Sequence, residues 1–189
     1  LANQPLKARL HQLNVFSNLC AKADVDDTLR CADTWVIDNV ALAKELIARH
    51  REKKAEGLVF KRLDAPYVAG KPNSGGDQVK LKFYNDITAR VSGHTTGKRS
   101  VSMELLQDGD WTEVGKVTVP ANKKIPEIGA LIDVQYLYAY EGGSLFQPTF
   151  RGVRTDYLEE DCTTDKLCYK PDDEYMPSME AVEDDQPSL

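Results

Sequence analysis

Two short segments, EGLVFKR at residues 56–62 and VKLKFY at residues 79–84, decide the fold of this chain. The first is an apolar run with charged residues at its ends, which predicts a short buried strand over residues 57–62. The second alternates, so that Lys80 and Lys82 lie on one face of a strand and apolar residues lie on the other. The intervening residues 64–77 are rich in proline and glycine and predict a surface loop.

The residues that precede these strands favour helices. Apolar side chains recur at helical spacing over residues 5–22, and Pro5 suits the first turn of a helix. The polar residues 22–32 predict a loop. A second apolar stripe predicts a helix over residues 39–53, and Asp38 is its expected N-cap.

The residues that follow favour strands. Strand-like segments separated by turn signals occur at residues 88–92, 100–106, 111–119, 130–140 and 144–153. Short strands at this spacing predict a small closed β-barrel of five strands. The chain is therefore predicted to be α+β, with one part over residues 1–86 and a barrel over residues 87–158.

The net charge of −6 is distributed unevenly. Eleven acids and two bases fall in residues 159–189, so this segment carries −9 and residues 1–158 carry +3. A polyanionic partner such as nucleic acid is therefore compatible with the main part of the chain. The acidic segment 159–189 contains three prolines and is expected to be disordered near its end.

The composition also bears on the class of protein. No apolar run approaches the ~20 residues that cross a bilayer, so an integral membrane protein is excluded. The four cysteines form no C-x-x-C pair and have no histidine at zinc-finger spacing. They are expected to be reduced thiols in a cytoplasmic protein, with a Cys162–Cys168 disulfide as the alternative.

Glu56, Lys61, Lys80 and Lys82 are the residues best suited to chemistry. A carboxylate can hold Mg²⁺ and ammonium groups neutralise phosphate oxygens, so these residues in one cleft would form a nucleotide-phosphate site. On composition alone, lysines on a strand more often form a solvated face. Glu56 on its own would be an ordinary carboxylate at the start of a strand.

The order of several short motifs indicates a family. EGLVFKRLDAPYVAGK, at residues 56–71, resembles motif IV and the following loop of the ATP-dependent DNA ligases. KLKF, at residues 80–83, resembles motif V of the same superfamily of covalent nucleotidyltransferases. QPLKARLHQL, at residues 4–13, looks like the segment before motif IV, and LFQPTFRGVRTD, at residues 145–156, is similar to motif VI. The resemblance implies the C-terminal half of an adenylation domain followed by an OB-fold barrel.

The resemblance implies a role for each matching residue of motifs IV and V. Glu56 would contact the metal or the nucleotide, and Lys61 is the lysine that closes motif IV and binds nucleotide. Lys80 and Lys82 match the motif V lysines, the catalytic residues that contact the nucleotide phosphate.

Motif VI and the barrel carry further implied roles. Arg154 and Asp156 match positions that orient pyrophosphate, and Arg154 would also bind nucleotide. An ordinary ion pair at a strand end is an equally good account of these two residues. Asp86 would be a hinge between open and closed arrangements of the two domains. Basic residues of the barrel are candidates for contacts to the DNA backbone, namely Arg90, Lys98, Arg99, Lys116, Lys123 and Lys124.

Two departures from the family pattern limit what this chain can do alone. The chain contains no Lys-x-Asp-Gly motif, whose lysine is the family's nucleophile, so it is not expected to self-adenylate. Tyr157 stands where motif VI usually has a lysine. With Leu1 in place of an initiator Met, we expect the chain to be part of a longer enzyme.

The complete enzyme is expected to be a monomer that uses ATP and Mg²⁺. It would seal nicks in duplex DNA through enzyme–AMP and DNA–adenylate intermediates, as in replication and repair. An RNA ligase or an mRNA-capping guanylyltransferase is one alternative, since both share motifs IV and V. A non-catalytic OB-fold module that binds nucleic acid is another.

Overall fold

The computed structural model describes residues 1–22, 32–70 and 76–171 of the chain. It divides into two units, Leu1–Phe83 and Tyr84–Leu189. The predicted boundary at residue 86 lies just beyond the point where they divide. Among the described residues, no helix has the length and apolarity needed to cross a membrane.

The first unit contains two helices and a two-stranded antiparallel sheet. Its elements in chain order are α1 (Leu6–Lys22), α2 (Val40–Glu52), β1 (Gly57–Lys61) and β2 (Gln78–Lys82). These helices and strands occur where the sequence predicts them. Lys22, predicted to begin a loop, still belongs to α1, and the other described residues of the predicted loops are free of helix and strand. Residues 23–31 and 71–75 lie outside the described residues.

The N-cap of α2 differs from the prediction. Asn39, not Asp38, caps the helix, because the Asn39 side chain accepts a hydrogen bond of 2.8 Å from the Leu42 backbone N–H. Asn39 has the extended backbone that an N-cap requires, with φ −146° and ψ 162°. The Asp38 carboxylate instead accepts a 2.7 Å hydrogen bond from the Asn39 amide.

The second unit is built on one five-stranded antiparallel sheet. Its strands are β3 (Asn85–His94), β4 (Ser100–Gln107), β5 (Asp110–Thr118), β6 (Leu131–Tyr136) and β7 (Thr149–Arg154). Their order across the sheet is β5-β4-β3-β6-β7. Alternate residues are buried, as in β4, where Val101, Met103 and Leu105 are inaccessible to solvent. The core of this unit therefore lies against one face of the sheet.

The predicted closed barrel is wrong. Among the described residues, no hydrogen-bonded ladder joins the outer strands β5 and β7, so the sheet stays open. Instead, the connection between β6 and β7 contacts the edge of β5, where Leu145 N–H donates a 3.0 Å hydrogen bond to the Val114 carbonyl. This connection therefore covers part of the β5 edge, which would pair with β7 in a closed barrel.

The last two strands are shorter than the predicted segments 130–140 and 144–153. β6 ends at Tyr136 and β7 begins at Thr149. Gly142, Gly143 and Gln147, all in the connection between the two strands, have φ values of 88°, 87° and 52°. Left-handed backbone of this kind interrupts an extended strand.

The first part of the acidic segment belongs to the second unit. Its 3-10 turns, Glu159–Asp161 and Thr164–Lys166, follow β7. The Cys162 carbonyl accepts a 2.7 Å hydrogen bond from Leu106 N–H of β4, and the Cys162 side chain is inaccessible to solvent. The disorder predicted near the end of the chain concerns residues 172–189, which lie outside the described residues.

Candidate functional site

The pairing of β1 with β2 places the predicted phosphate-binding lysines on one face. The antiparallel register sets Val59 opposite Lys80 and Gly57 opposite Lys82. It also sets Lys61 opposite Gln78. Since opposed residues share a face and alternate residues along a strand do so too, Lys61, Lys80 and Lys82 lie on the same face of this sheet.

Glu56 meets this face at the start of β1. Its carboxylate Oε1 lies 3.2 Å from Lys82 Nζ, with the glutamate side chain 54% exposed and the lysine side chain 28% exposed. Its carbonyl accepts a 3.0 Å hydrogen bond from Phe83 N–H, which ties the residue to the end of β2. A pair this exposed contributes at most about 1 kcal/mol to stability, so its main effect is to orient the two groups.

Gly57 allows the two strands to approach at this point. A Cβ atom on Gly57 would lie 2.0 Å from the carbonyl oxygen of Leu81. Any other residue would therefore force β1 and β2 apart beside the Glu56–Lys82 pair. The glycine that follows Glu56 in the sequence is thus a structural requirement of the site.

These residues line an open cleft of about 230 Å³. The cleft combines apolar walls with one carboxylate and two ammonium groups, and its lining consists of Glu56, Gly57, Leu58, Val59, Lys80, Leu81 and Lys82. Two cations on one wall suit the oxygens of a phosphate group. The structure thus brings together Glu56, Lys80 and Lys82 as the sequence predicts, and places Lys61 on the same face outside this lining.

The motif VI residues form an ion pair in the second unit. Arg154, at the end of β7, donates two hydrogen bonds of 2.9 and 2.8 Å to the Asp156 carboxylate. These hydrogen bonds hold the pKa of Asp156 below its usual value. The guanidinium carbon of Arg154 also lies 5.1 Å from the centre of the Tyr157 ring.

Sequence reasoning missed Lys166, which lies beside Tyr157. Its Nζ donates hydrogen bonds of 3.1 Å to the Tyr157 hydroxyl and 2.6 Å to the Asp161 carbonyl. The hydrogen bond to Tyr157 raises the pKa of Lys166. No signal in the sequence connects Lys166 with Tyr157, because their contact depends on how the residues between them fold.

Both predicted DNA-binding arginines, Arg90 and Arg99, bind groups within the second unit. Arg90 lies 2.6 Å from Glu104 and 3.2 Å from Glu159, and its guanidinium carbon is 3.6 Å from the centre of the Trp111 ring. Arg99 donates hydrogen bonds to backbone carbonyls that follow β5, at Val119 (3.1 Å) and Pro120 (3.0 Å). It also donates to the Lys123 carbonyl.

The predicted DNA-binding lysines are all exposed. Lys98, Lys116 and Lys123 extend from the surface of the second unit. Lys124 does so too and lies 3.4 Å from Glu127 in an exposed ion pair. Asp86, the predicted hinge, lies near the start of β3 and accepts a 3.5 Å hydrogen bond from the Gln135 amide.

Comparison with known proteins finds relatives by structure only. No protein-family model and no curated protein matches the chain. A Lig E DNA ligase, studied for DNA binding with a minimal scaffold, is 21% identical with a TM-score of 0.65, over 82% of this chain and 60% of that one. A structure named Pmar-Lig_Pre is 18% identical with a TM-score of 0.60, over 81% of this chain and 40% of that one.

The chain thus spans about 60% of the length of the Lig E ligase chain. At these identities the likeness shows the fold, and the predicted α+β class is confirmed. The fold agrees with the relationship to ligases that the order of motifs IV, V and VI indicates. The chain has the fold of part of a DNA ligase.

Proposed function

We propose that this chain is part of an ATP-dependent DNA ligase that seals nicks in duplex DNA through enzyme–AMP and DNA–adenylate intermediates. The observation that carries the proposal is the convergence of Glu56, Lys80 and Lys82 on one cleft. These residues come from segments that resemble motifs IV and V, and they lie in a chain with the fold of a ligase.

The proposed role of the cleft is to stabilise charge on transferring phosphates. Each ligation step passes through a transition state whose negative charge is spread over phosphate oxygens. The ammonium groups of Lys80 and Lys82 would hold those oxygens, and Lys61 would add positive charge from the same face. Glu56 keeps Lys82 in place through the 3.2 Å ion pair.

Mg²⁺ would fit this cleft only if ATP supplied some of its ligands. Glu56 is the one carboxylate among the described lining residues, and the described parts of the chain hold no cluster of three metal-binding side chains. Mg²⁺ commonly binds through one or two carboxylates together with waters and substrate phosphates. Glu56 would therefore hold the ion jointly with ATP, and the ion would neutralise phosphate charge.

The proposed role of the second unit is to bind the DNA backbone. The exposed lysines Lys98, Lys116 and Lys123 are candidates for phosphate contacts, and so is Lys124, whose pair with Glu127 is fully exposed. Arg90 and Arg99 already bind groups of their own unit. Arg154 and Asp156 would act on pyrophosphate during adenylation. Asp86 remains the proposed hinge.

The proposal is tested with the full gene product, α-labelled ATP, Mg²⁺ and a duplex that carries a 5′-phosphorylated nick. We expect a labelled protein adduct and a sealed strand, and we expect chelation of the metal to abolish both. The isolated 189-residue chain should take up no label, because it has no Lys-x-Asp-Gly motif. A covalent adduct on the isolated chain would contradict the proposal.

The same assay distinguishes the alternative functions. Labelling by GTP instead of ATP would indicate a capping guanylyltransferase, and joining of RNA ends without sealing of DNA nicks would indicate an RNA ligase. The missing nucleophile favours one further candidate, a non-catalytic module that binds nucleic acid. DNA binding by the full gene product, without any adduct or sealing, would support that candidate.

A further inference from the structure

The connection between β6 and β7 carries a cluster of aromatic rings that the ligase chemistry above does not use. Tyr138 and Phe146 are stacked, with ring centres 4.7 Å apart and planes 17° apart. Tyr140 stands nearly perpendicular to both, at 5.4 Å from Tyr138 and 5.7 Å from Phe146. We call these three residues the aromatic cluster.

Backbone pairing holds the cluster in place. Ala139 forms an antiparallel bridge with Leu145, and Phe146 N–H donates a 2.8 Å hydrogen bond to the Tyr138 carbonyl. Ala139 is inaccessible to solvent and Leu145 is only 7% exposed. Because side chains alternate along extended backbone, Tyr138, Tyr140 and Phe146 lie on the opposite face, away from the core.

A lysine from the C-terminal segment joins this outer face. Tyr169 forms a parallel bridge with Ala139, and Lys170 N–H donates a 2.8 Å hydrogen bond to the Ala139 carbonyl. The residue after Tyr169 therefore lies on the same face as Tyr138 and Tyr140. Lys170 is exposed, and its backbone is bonded to Ala139, the residue between Tyr138 and Tyr140.

Exposure distinguishes Tyr140 from a tyrosine packed in the core, whereas Tyr138 and Phe146 are half-buried. Tyr136, two residues before Tyr138, is inaccessible to solvent, and its hydroxyl accepts a 2.8 Å hydrogen bond from Cys168 N–H. Tyr140, by contrast, is 43% exposed. Tyr140 is therefore not a core residue, and part of its surface is accessible to a ligand.

We propose that the aromatic cluster and Lys170 form a platform on which the bases of single-stranded DNA stack. Exposed aromatic rings beside a cation are the combination that binds single strands, because every base has a flat face and every nucleotide a phosphate. Paired bases are already stacked on both sides, so the platform selects unpaired nucleotides. The choice of DNA rests on the proposed ligase function, whereas base stacking rests on the rings alone.

The test uses the 189-residue chain and fluorescein-labelled oligonucleotides, with binding followed by anisotropy. One probe is oligo-dT, and the other is an abasic strand of the same length and phosphate number. We expect oligo-dT to bind about tenfold more tightly, within the range for stacking of a single base on an aromatic side chain. Tyr140→Ala should remove most of that preference, and Tyr140→Phe should retain it.

Two further variants serve as controls. Tyr84→Ala removes a tyrosine that is 44% exposed, almost the same as Tyr140, but lies outside the cluster, and it should leave the preference unchanged. Lys170→Gln should weaken binding of both probes by a similar factor, because the phosphates are common to both. Circular dichroism confirms that each variant is folded.

Equal binding of oligo-dT and the abasic strand would overturn the platform, and so would a preference that survives in Tyr140→Ala. Neither result affects the ligase proposal, which depends on nick sealing. If the gene product seals no nick but the chain prefers oligo-dT in a Tyr140-dependent way, the ligase proposal fails and the platform stands. If the chain binds neither probe, the platform is overturned.

Discussion

The two lysines of β2 share a face but differ in their surroundings. Lys82 is 28% exposed and paired with Glu56, whereas Lys80 lies opposite Val59 and is exposed. The Glu56 carboxylate therefore fixes one ammonium group and leaves the neighbouring one accessible along the cleft.

Replacement of either lysine by alanine should reduce nick sealing by the full gene product by at least about a hundredfold, since each removes a positive charge that the proposed function places beside the transferring phosphate. Unfolding free energy should change by less than about 1 kcal/mol, because Lys80 is exposed and the Lys82–Glu56 ion pair is partly exposed. Lys44→Ala, on the exposed side of α2 in the same unit, is the matched control and should seal normally. Normal sealing by both Lys80→Ala and Lys82→Ala would show that the cleft is not the phosphate site.

At the scale of elements, the pairing of β1 with β2 depends on the close approach of Gly57 to the Leu81 carbonyl oxygen. Alternation in the sequence predicts both strands and the faces of their side chains. The register that sets Gly57 opposite Lys82 depends on contacts between segments separated by a long loop, so the sequence pattern does not specify it. The carboxylate of Glu56 reaches Lys82 only in this register.

Gly57→Ala should disturb this pair, because the new Cβ would lie 2.0 Å from the Leu81 carbonyl oxygen. We expect a loss of about 1–3 kcal/mol in unfolding free energy, typical of overpacking, together with loss of nick sealing. Gly152→Ala in β7 is the matched control, since its Cβ would meet nothing within 4 Å. Denaturant titration measures the stability of the two variants. Equal stability would contradict the close approach of β1 and β2 at Gly57.

At the scale of the whole molecule, the division of the chain differs from the one that composition predicts. Acidic residues and prolines set residues 159–189 apart from the rest of the sequence. In the structure, Cys162 and Leu167 of this segment are buried in the core of the second unit. A run of charge therefore does not mark the end of the folded unit, because a few apolar residues within it suffice to anchor the segment.

Truncation after residue 158 should destabilise the second unit by at least about 2 kcal/mol, since it removes the buried Leu167 and Cys162 side chains. A chain truncated after residue 171 keeps both of these side chains and should unfold at a temperature close to that of the full chain. Thermal unfolding followed by circular dichroism compares the two. If they melt together, the described part of the acidic segment contributes nothing to stability.

The sequence by itself determined the helices, most of the strands and the common face of Lys80 and Lys82, because these depend on periodicities within a few residues. Only the tertiary structure decided the register that pairs Glu56 with Lys82, the open edge of the five-stranded sheet and the partners of Arg90 and Arg99. Those features depend on contacts between distant residues, and local patterns carry no information about which distant groups will meet. The aromatic cluster likewise depends on the fold, because only the folded chain brings Phe146 beside Tyr138 and Tyr140.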